Sequence, residues 1–271
     1  MKKYLFVLFF IVQNQLIAQN FEWNTIDSGI LYSAVKSKNN QSIFLAFGGW
    51  TAKAEWTSIW AENLYAVKLK KLKIAHLFAI KGPKNSLYKD REINNRKLAE
   101  KFLGILKSQK TSSKIQIILV AHSSGAYVAH EFLNTLFALD SANGYKNTKD
   151  KISYFNLDGG IGIKEYDWTS LQIDYIQHFK AIYGVYAFDS NTGIYSPNKD
   201  EMLELQTLGK NCFPLELNAS NCGCIKKWCV HETLIITKPH NINTFDLEKD
   251  YTDFNSLRTP VFEYFNVLEK K

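Results

Sequence analysis

The segment "IILVAHSSGAYVAHEFL" carries a serine, Ser123, between a run of apolar residues and the start of an amphipathic helix pattern. Small residues stand two positions before it, at Ala121, and two positions after it, at Gly125. A nucleophilic serine on a sharp strand-to-helix turn requires small residues there, because larger side chains would collide with the neighbouring strand and helix. The spacing therefore predicts that Ser123 is a nucleophile. The alternative is a polar turn whose serine only caps the helix, a role that Ser124 could share.

Serine chemistry also needs a base and donors for an oxyanion. A serine hydroxyl attacks a carbonyl group when a base removes its proton and N–H groups stabilise the negative oxygen that forms. The backbone N–H of Ser124, at the start of the predicted helix, is one such donor. The segment "FGGW" ends an earlier apolar run, and its two glycines would let the backbone approach a substrate closely. We expect the amide of Gly49 or Trp50 to be the second donor, unless the glycines form only an ordinary turn.

With these motifs the sequence resembles the α/β-hydrolase superfamily, and within it the esterase and lipase branch that carries G-H-S-x-G. The resemblance is specific at "AHSSGA", where Ala121 replaces the first glycine, and it covers most of residues 42–271 in the order of elements. It implies an eight-stranded, mainly parallel sheet. It also implies a catalytic triad in which the acid and the base both follow the serine in the chain.

Two aspartates that end downstream strand patterns are candidates for the acid. Asp189 closes "YGVYAFD", and in the superfamily's usual topology the acid follows this penultimate strand. Asp158 closes "YFNLD" one strand earlier and resembles the acid position of pancreatic-type lipases, which carry L-D-P there. An aspartate at such a strand end is also common as a turn former. The pattern favours Asp189, with Asp158 as the alternative.

Two histidines are candidates for the base. The β-branched run "ETLIIT" predicts a final strand, and His240, in "KPHN", would follow its carboxyl end, where active sites of open α/β sheets lie. His231, in "CVH", would start that strand, although it resembles the Cys-x-His of pancreatic-type lipases. It would become the base if the residues after it were helical. The pattern favours His240. The remaining histidines are less suited to this role by position: His76, His122, His130 and His178.

The elements that must position these residues alternate between apolar runs and amphipathic stretches. This alternation predicts an α/β fold in which a mostly parallel sheet has helices on both faces. No stretch has the composition of a linker, so we expect one domain over residues 19–271, with an insertion at about 196–230 before the last strand. Residues 1–18 have the two lysines, short apolar run and small final residue of a signal peptide. We therefore expect export, to the periplasm or out of the cell.

All four cysteines lie within the expected insertion. In an exported protein, an even and clustered set predicts two disulfides, whose connectivity the sequence leaves open. A zinc site that also uses His231 is the alternative, but the spacing lacks the paired C-x2-C of common structural zinc sites. The cysteines are Cys212, Cys222, Cys224 and Cys229.

The net charge of +7 comes from lysines scattered among acidic residues. They form no Arg-rich stripe with interleaved aromatic residues, so a nucleic-acid partner is not indicated. We expect a secreted serine hydrolase that cleaves small-molecule or lipid carboxylic esters through an acyl-enzyme, with no metal or organic cofactor. A peptidase or amidase with the same triad is a second hypothesis. A catalytically inactive binding protein with the same fold is a third.

Overall fold

The computed structural model describes residues 21–35, 42–65, 72–84, 93–109, 115–160, 171–219 and 227–235. The described part of the chain forms one nine-stranded sheet with helices packed against it. Its strands are β1 (Asn24–Asp27), β2 (Ile30–Ala34), β3 (Ser42–Phe47), β4 (Ile74–Ile80), β5 (Ile117–His122), β6 (Ile152–Leu157), β7 (Ala181–Asp189), β8 (Ile194–Tyr195) and β9 (Cys212–Asn218). Its helices are α1 (Ala54–Leu64), α2 (Asn95–Ser108), α3 (Gly125–Ser141), α4 (Ile173–Ile176), α5 (Lys199–Glu204) and α6 (Lys227–Glu232), with a 3-10 turn at Leu205–Thr207.

The sheet is mixed but mostly parallel. Its strands are ordered β1-β2-β4-β3-β5-β6-β7, and both β8 and β9 pair with β7. The pairs among β4, β3, β5, β6, β7 and β9 are parallel, while β1, β2 and β8 pair antiparallel with their neighbours. Parallel neighbours require crossover connections, which here run through the helices. The predicted α/β fold class is confirmed.

Apolar side chains cover both faces of the central strands. Side chains alternate along a strand, so Leu45 and Phe47 of β3 face one helical layer, and Phe44 and Ala46 face the other. The first layer is formed by α2 and α3, and the second includes α1 and α6. Every residue of β5 is buried, which explains why its sequence is apolar without alternation. The predicted placement of helices on both faces is therefore confirmed.

The register between β5 and β6 matters for the site. His122 is the Cα partner of Leu157, so the next residues, Ser123 and Asp158, leave two adjacent parallel strands at the same level. The backbone N–H of Ser123 also donates to the carbonyl of Leu157 at 3.0 Å. The carboxyl ends of the two strands thus present a serine and an aspartate side by side.

The end of the described chain differs from the prediction. The composition of "ETLIIT" predicts the last strand, but residues 227–232 are helical and a turn follows to Ile235. The buried apolar residues Val230, Leu234 and Ile235 are spaced for one face of a helical turn, and this packing outweighs the β-branched composition. The last described strand is instead β9, inside the predicted insertion. Pro214 is tolerated in β9 because only β7 pairs with this strand in the described sheet.

The structure does not support the two predicted disulfides. Cys212 is a buried free thiol in the core on one face of the sheet, whereas Cys229 is buried in the core on the opposite face. The sheet itself therefore separates the two side chains. Cys222, Cys224, His240 and the predicted signal peptide at 1–18 lie outside the described residues. Within those residues, no helix has the length and apolar character needed to cross a membrane.

Candidate functional site

Ser123 occupies the turn between β5 and α3. Its φ angle is +53°, in the left-handed region that non-glycine residues seldom adopt. Holding a serine there costs on the order of 1–3 kcal/mol, which the surrounding packing must offset. The following residue, Ser124, is the N-cap of α3, but its side chain makes no capping hydrogen bond within this described helix. The geometry is therefore that of a serine presented on a strained strand-to-helix turn rather than that of a helix cap.

Two glycines allow the backbone to close around this turn. A Cβ atom at Gly125 would lie 2.3 Å from the carbonyl oxygen of Gly48, so the start of α3 can touch the loop after β3 only because the residue is glycine. A Cβ atom at Gly159 would lie 2.3 Å from the carbonyl oxygen of Ser123. The turn after β6 is thus in backbone contact with the serine turn. The carboxyl ends of β3, β5 and β6 therefore meet at Ser123.

The expected oxyanion donors lie in this contact region. The N–H of Gly48 donates to the carbonyl of Ile80 at 3.0 Å, and the N–H of Ala52 donates to the carbonyl of Gly49 at 3.0 Å, which closes a tight turn from Gly49 to Ala52. The indole of Trp50 points outward: it is 54% exposed and donates to the carbonyl of Lys84 at 2.7 Å. The amides of Gly49 and Trp50 therefore belong to a rigid turn beside the start of α3, where Ser124 lies.

Asp158 and His231 form a buried hydrogen-bonded pair. Asp158 Oδ2 lies 2.6 Å from His231 Nδ1, and the two side chains are 0% and 4% exposed. Asp158 has a φ angle of +53°, so it too sits on a strained turn at a strand end. Asn198 holds it from the other side, because its backbone N–H donates to Asp158 Oδ1 at 3.1 Å and its side-chain amide donates to the Asp158 carbonyl at 2.6 Å.

The turn after Asp158 is built by a buried side chain. Asn156, on β6, accepts a hydrogen bond from the N–H of Gly159 at 2.9 Å and donates to the carbonyl of Gly160 at 2.8 Å. The amide side chain therefore replaces the backbone partners that the sharp turn cannot provide. This arrangement fixes the direction in which Asp158 leaves the strand.

His231 lies next to the serine turn. Its ring centroid is 4.7 Å from that of His122, the residue that precedes Ser123. Burial alone lowers the pKa of His231, but the hydrogen bond to Asp158 and the charges of Glu232 and Asp158 together raise this pKa above its ordinary value. A histidine held by a carboxylate at Nδ1 presents Nε2 as the proton acceptor. His231 therefore has the environment of a general base.

Glu232 adds a second carboxylate to the site. Glu232 Oε1 lies 4.0 Å from His231 Nε2, and Glu232 Oε2 lies 3.9 Å from His122 Nε2. Burial and the neighbouring His231 lower the pKa of His122 well below its ordinary value, so this ring is neutral at pH 7. His231 thus has one carboxylate on each side of its ring.

Among the described residues, the structure brings the alternative acid, Asp158, and not Asp189, to His231. Asp189 is buried at the end of β7, where its carboxylate accepts from the N–H of Asn191 at 2.9 Å and its carbonyl accepts from the N–H of Gly193 at 2.8 Å. These bonds close the tight turn into β8, the turn-forming role that the sequence also allowed. Asp158, and not Asp189, makes the hydrogen bond to His231. His240 lies outside the described residues.

Sequence reasoning missed three residues of the site. Asn198 and Asn156 carry no recognisable motif, and only the fold shows that they hold Asp158 and its turn. Glu232 directly follows a candidate base, which was a usable signal. The composition around Glu232 predicts a strand, in which its side chain would point to the face opposite that of His231.

No model of a known protein family matches the chain, and no curated protein sequence matches it. Solved structures with a similar fold include a hyperthermophilic esterase from the archaeon Pyrobaculum calidifontis, at 11% identity over 78% of this chain and 78% of that one, with a TM-score of 0.46. A carboxylesterase from Bacillus subtilis has 11% identity over 79% and 90%, with a TM-score of 0.39. A serine hydrolase homologue from Coxiella burnetii has 13% identity over 76% and 90%, with a TM-score of 0.39. At such low values the functional argument rests on the site's own geometry.

Proposed function

We propose that the protein is a serine hydrolase of carboxylic esters, with Ser123 as nucleophile, His231 as general base and Asp158 as the acid that orients the base. The observation that carries this proposal is the buried 2.6 Å hydrogen bond between Asp158 and His231, placed beside the strained turn of Ser123. The order of the three residues in the chain, serine, then acid, then histidine, is that of α/β-hydrolases.

The chemistry follows from these roles. The hydroxyl oxygen of Ser123 attacks the ester carbonyl carbon while His231 Nε2 takes the hydroxyl proton. His231 then gives this proton to the leaving alcohol, and an acyl-serine remains. Water attacks the acyl-serine by the same route and releases the carboxylic acid. Asp158 holds the Nδ1–H of His231 throughout and stabilises the imidazolium that forms in each half-reaction.

The oxyanion of each tetrahedral intermediate needs N–H donors near Ser123. We assign this role to the amide of Ser124 and to that of Gly49 or Trp50. The first lies at the start of α3, where the helix dipole favours negative charge. The second lies in the turn that Gly125 brings against α3. Such donors act strongly because they are fixed before the charge develops.

Labelling with a fluorophosphonate probe tests the proposal. The intact protein should be labelled, Ser123→Ala should not, and Ser190→Ala, a change at an exposed serine, should be labelled like the parent. Absence of labelling in folded protein would favour the inactive binding protein. Labelled protein that cleaves a peptide amide and no p-nitrophenyl ester would favour the peptidase or amidase.

We also propose that residues 1–18 direct export of the chain. The support is the layout of charge, apolar run and small residue in "MKKYLFVLFFIVQNQLIA". Expression in a bacterial host, followed by fractionation and N-terminal sequencing, tests this proposal. A mature chain that begins at Gln19 outside the cytoplasm is expected, and full-length protein in the cytoplasm would contradict it.

A further inference from the structure

Three metal-ligating side chains converge beside the serine turn. His122, His231 and Glu232 each offer a ligand atom, and these atoms all lie within 4.8 Å of one another. Two histidine nitrogens with one carboxylate form a donor set that Zn²⁺ accepts in proteins. His122 comes from the end of β5, while His231 and Glu232 come from α6, so the cluster joins two separate parts of the chain.

The distances between the ligand atoms are longer than in a metal complex, by an amount that side-chain movement can close. Zn²⁺ binds histidine nitrogen at about 2.0–2.1 Å in a tetrahedral arrangement, which places ligand atoms about 3.3 Å apart. The Glu232 carboxylate oxygens lie 3.9 Å from His122 Nε2 and 4.0 Å from His231 Nε2. The three ligand atoms lie within 4.8 Å of one another, so the side chains must close by up to about 1.5 Å to hold the ion.

The partners of the two rings also suit a metal site. A histidine that binds a metal through one nitrogen usually donates its other N–H to a carboxylate or a backbone carbonyl. His231 Nδ1 is hydrogen-bonded to the Asp158 carboxylate at 2.6 Å, and the ring of His122 is hydrogen-bonded to the backbone of His231. These bonds fix both rings so that the Nε2 atoms face Glu232. The arrangement is that of a carboxylate–histidine–metal site with its outer partners in place.

Burial and charge support the same conclusion. The side chains of His122 and His231 are 2% and 4% exposed, and Glu232 is 12% exposed. The buried rings give a site with little competing water, and Glu232 is the most exposed of the three side chains. The carboxylates of Glu232 and Asp158 together offset the charge of a divalent cation.

We propose that a divalent transition-metal ion binds His122, His231 and Glu232 and reversibly inhibits the enzyme. A metal ion on His231 Nε2 occupies the electron pair that must accept the Ser123 proton. Metal binding itself is independent of the proposed esterase function, whereas the inhibition rests on that function. The two parts are therefore tested separately.

Metal binding is tested in Ser123→Ala, which lacks the nucleophile but keeps all three ligands. Calorimetric titration with Zn²⁺ should show one bound ion per chain, and Co²⁺ should give the visible absorption bands of a tetrahedral complex. Adding His122→Gln or Glu232→Gln should weaken Zn²⁺ binding by at least about tenfold, and Asp158→Asn by about 10–100-fold. Glu55→Gln, at an exposed position, and His178→Gln, at a half-buried ring that stacks on Tyr145, serve as controls and should bind as the parent does.

Circular dichroism of each variant shows whether it is folded. Absence of Zn²⁺ binding in folded Ser123→Ala would overturn the proposal, and so would unchanged affinity in both folded ligand variants.

Inhibition is tested by ester hydrolysis in the otherwise intact protein. Zn²⁺ should reduce the rate, and EDTA should restore it. Glu232→Gln should need at least about ten times more Zn²⁺ for the same inhibition. Binding without inhibition of an active enzyme would overturn the inhibitory role. Binding by a protein with no esterase activity would leave the metal site standing and reject the proposed function.

Discussion

Asp158 and His231 are 73 positions apart in the sequence, yet Asp158 Oδ2 and His231 Nδ1 lie 2.6 Å apart in a site where neither side chain is more than 4% exposed. A buried pair of this kind orients the imidazole and selects its tautomer. The adjacent strands β5 and β6 place Ser123 at the same level as Asp158. The serine, the acid and the base therefore come together at the carboxyl ends of two neighbouring strands.

The first prediction separates the two candidate acids. In Asp158→Asn the amide can donate to His231 Nδ1 and select the wrong tautomer, so kcat for a p-nitrophenyl ester should fall by about 10³–10⁴-fold. Asp189→Asn is the matched control, because Asp189 closes a turn on the next strand, and its effect should be at least about a hundred times smaller. The reverse order of the two effects would reject the proposed triad.

The second prediction concerns pH. The base must be neutral to accept a proton, so kcat/KM should decline as pH falls through the pKa of His231, which lies above its ordinary value of about 6.5. Glu232→Gln removes one charge that raises this pKa, and the acid limb of the profile should move to lower pH. Glu55→Gln should leave the limb in place. A limb that moves to higher pH in Glu232→Gln would contradict the assignment of His231.

The same pKa shift has a consequence for stability. Folding favours protonated His231, so the stabilising contribution of this group is present below about pH 6.5 and is lost as pH rises through the folded-state pKa. The difference in unfolding free energy between the parent and His231→Gln should therefore shrink as pH rises through that window. Urea unfolding at several pH values measures it. A difference that grows over the same window would contradict the shift.

The third prediction compares two helical glycines: Gly125, the first residue of α3, and Gly104, inside α2. In Gly125→Ala the new Cβ would meet the carbonyl oxygen of Gly48 at 2.3 Å, so we expect a loss of about 1–3 kcal/mol in unfolding free energy together with lower activity. Gly104→Ala is the control, because nothing lies within 4 Å of its Cβ position inside α2, and it should stabilise by about 0.5–1 kcal/mol. Thermal unfolding of both variants checks the contrast. If Gly125→Ala were as stable as Gly104→Ala, the contact between Gly125 and the carbonyl of Gly48 would not be tight.

The fourth prediction concerns Asn198 as a positioning residue. Asn198→Ala removes the side-chain hydrogen bond to the Asp158 carbonyl, so the carboxylate should be held less firmly and kcat should fall by about tenfold, with little change in KM. Asn191→Ala, in the turn after β7, is the matched control. An effect on KM alone would indicate that Asn198 contacts the substrate instead.

The fifth prediction concerns Cys212. Burial raises the pKa of its thiol to about 11, so it stays protonated at pH 8. Iodoacetamide should therefore modify Cys212 slowly in the folded protein and quickly in guanidinium chloride without reductant. Mass spectrometry of the peptides measures this difference. A Cys212 that becomes reactive only after reduction would restore the disulfide that the sequence predicted.

The serine turn was predictable because its requirements are local. The buried run before Ser123, the small residues around it and the helix pattern after it all lie within one short segment, and the structure places Ser123 on that turn. The alternation of apolar runs and amphipathic stretches likewise predicted the mostly parallel sheet. In both cases residues that are close in the sequence determine the local structure.

The partners of Ser123 were harder to predict because long-range packing selects them. Residues around Val230 combine β-branched composition with helical spacing, and only the core beneath α6 decides between strand and helix. The segment that forms β9 contains a proline and begins at a cysteine, which obscured it as a strand. Asp158 and Asp189 both end strands, and their carboxylates differ only in what the fold brings near them.

Ser123 and Asp158 each follow a residue of the pair His122–Leu157, which joins β5 to β6. This pairing limits how the length of β6 can change. Side chains alternate along a strand, so loss or gain of one residue in β6 would put Asp158 on the other face and place a neighbour opposite Ser123. A change of two residues would restore the direction of the side chain but shift it along the strand by about 6.6 Å. Insertions and deletions in β6 that the sheet itself could accommodate are therefore incompatible with the site.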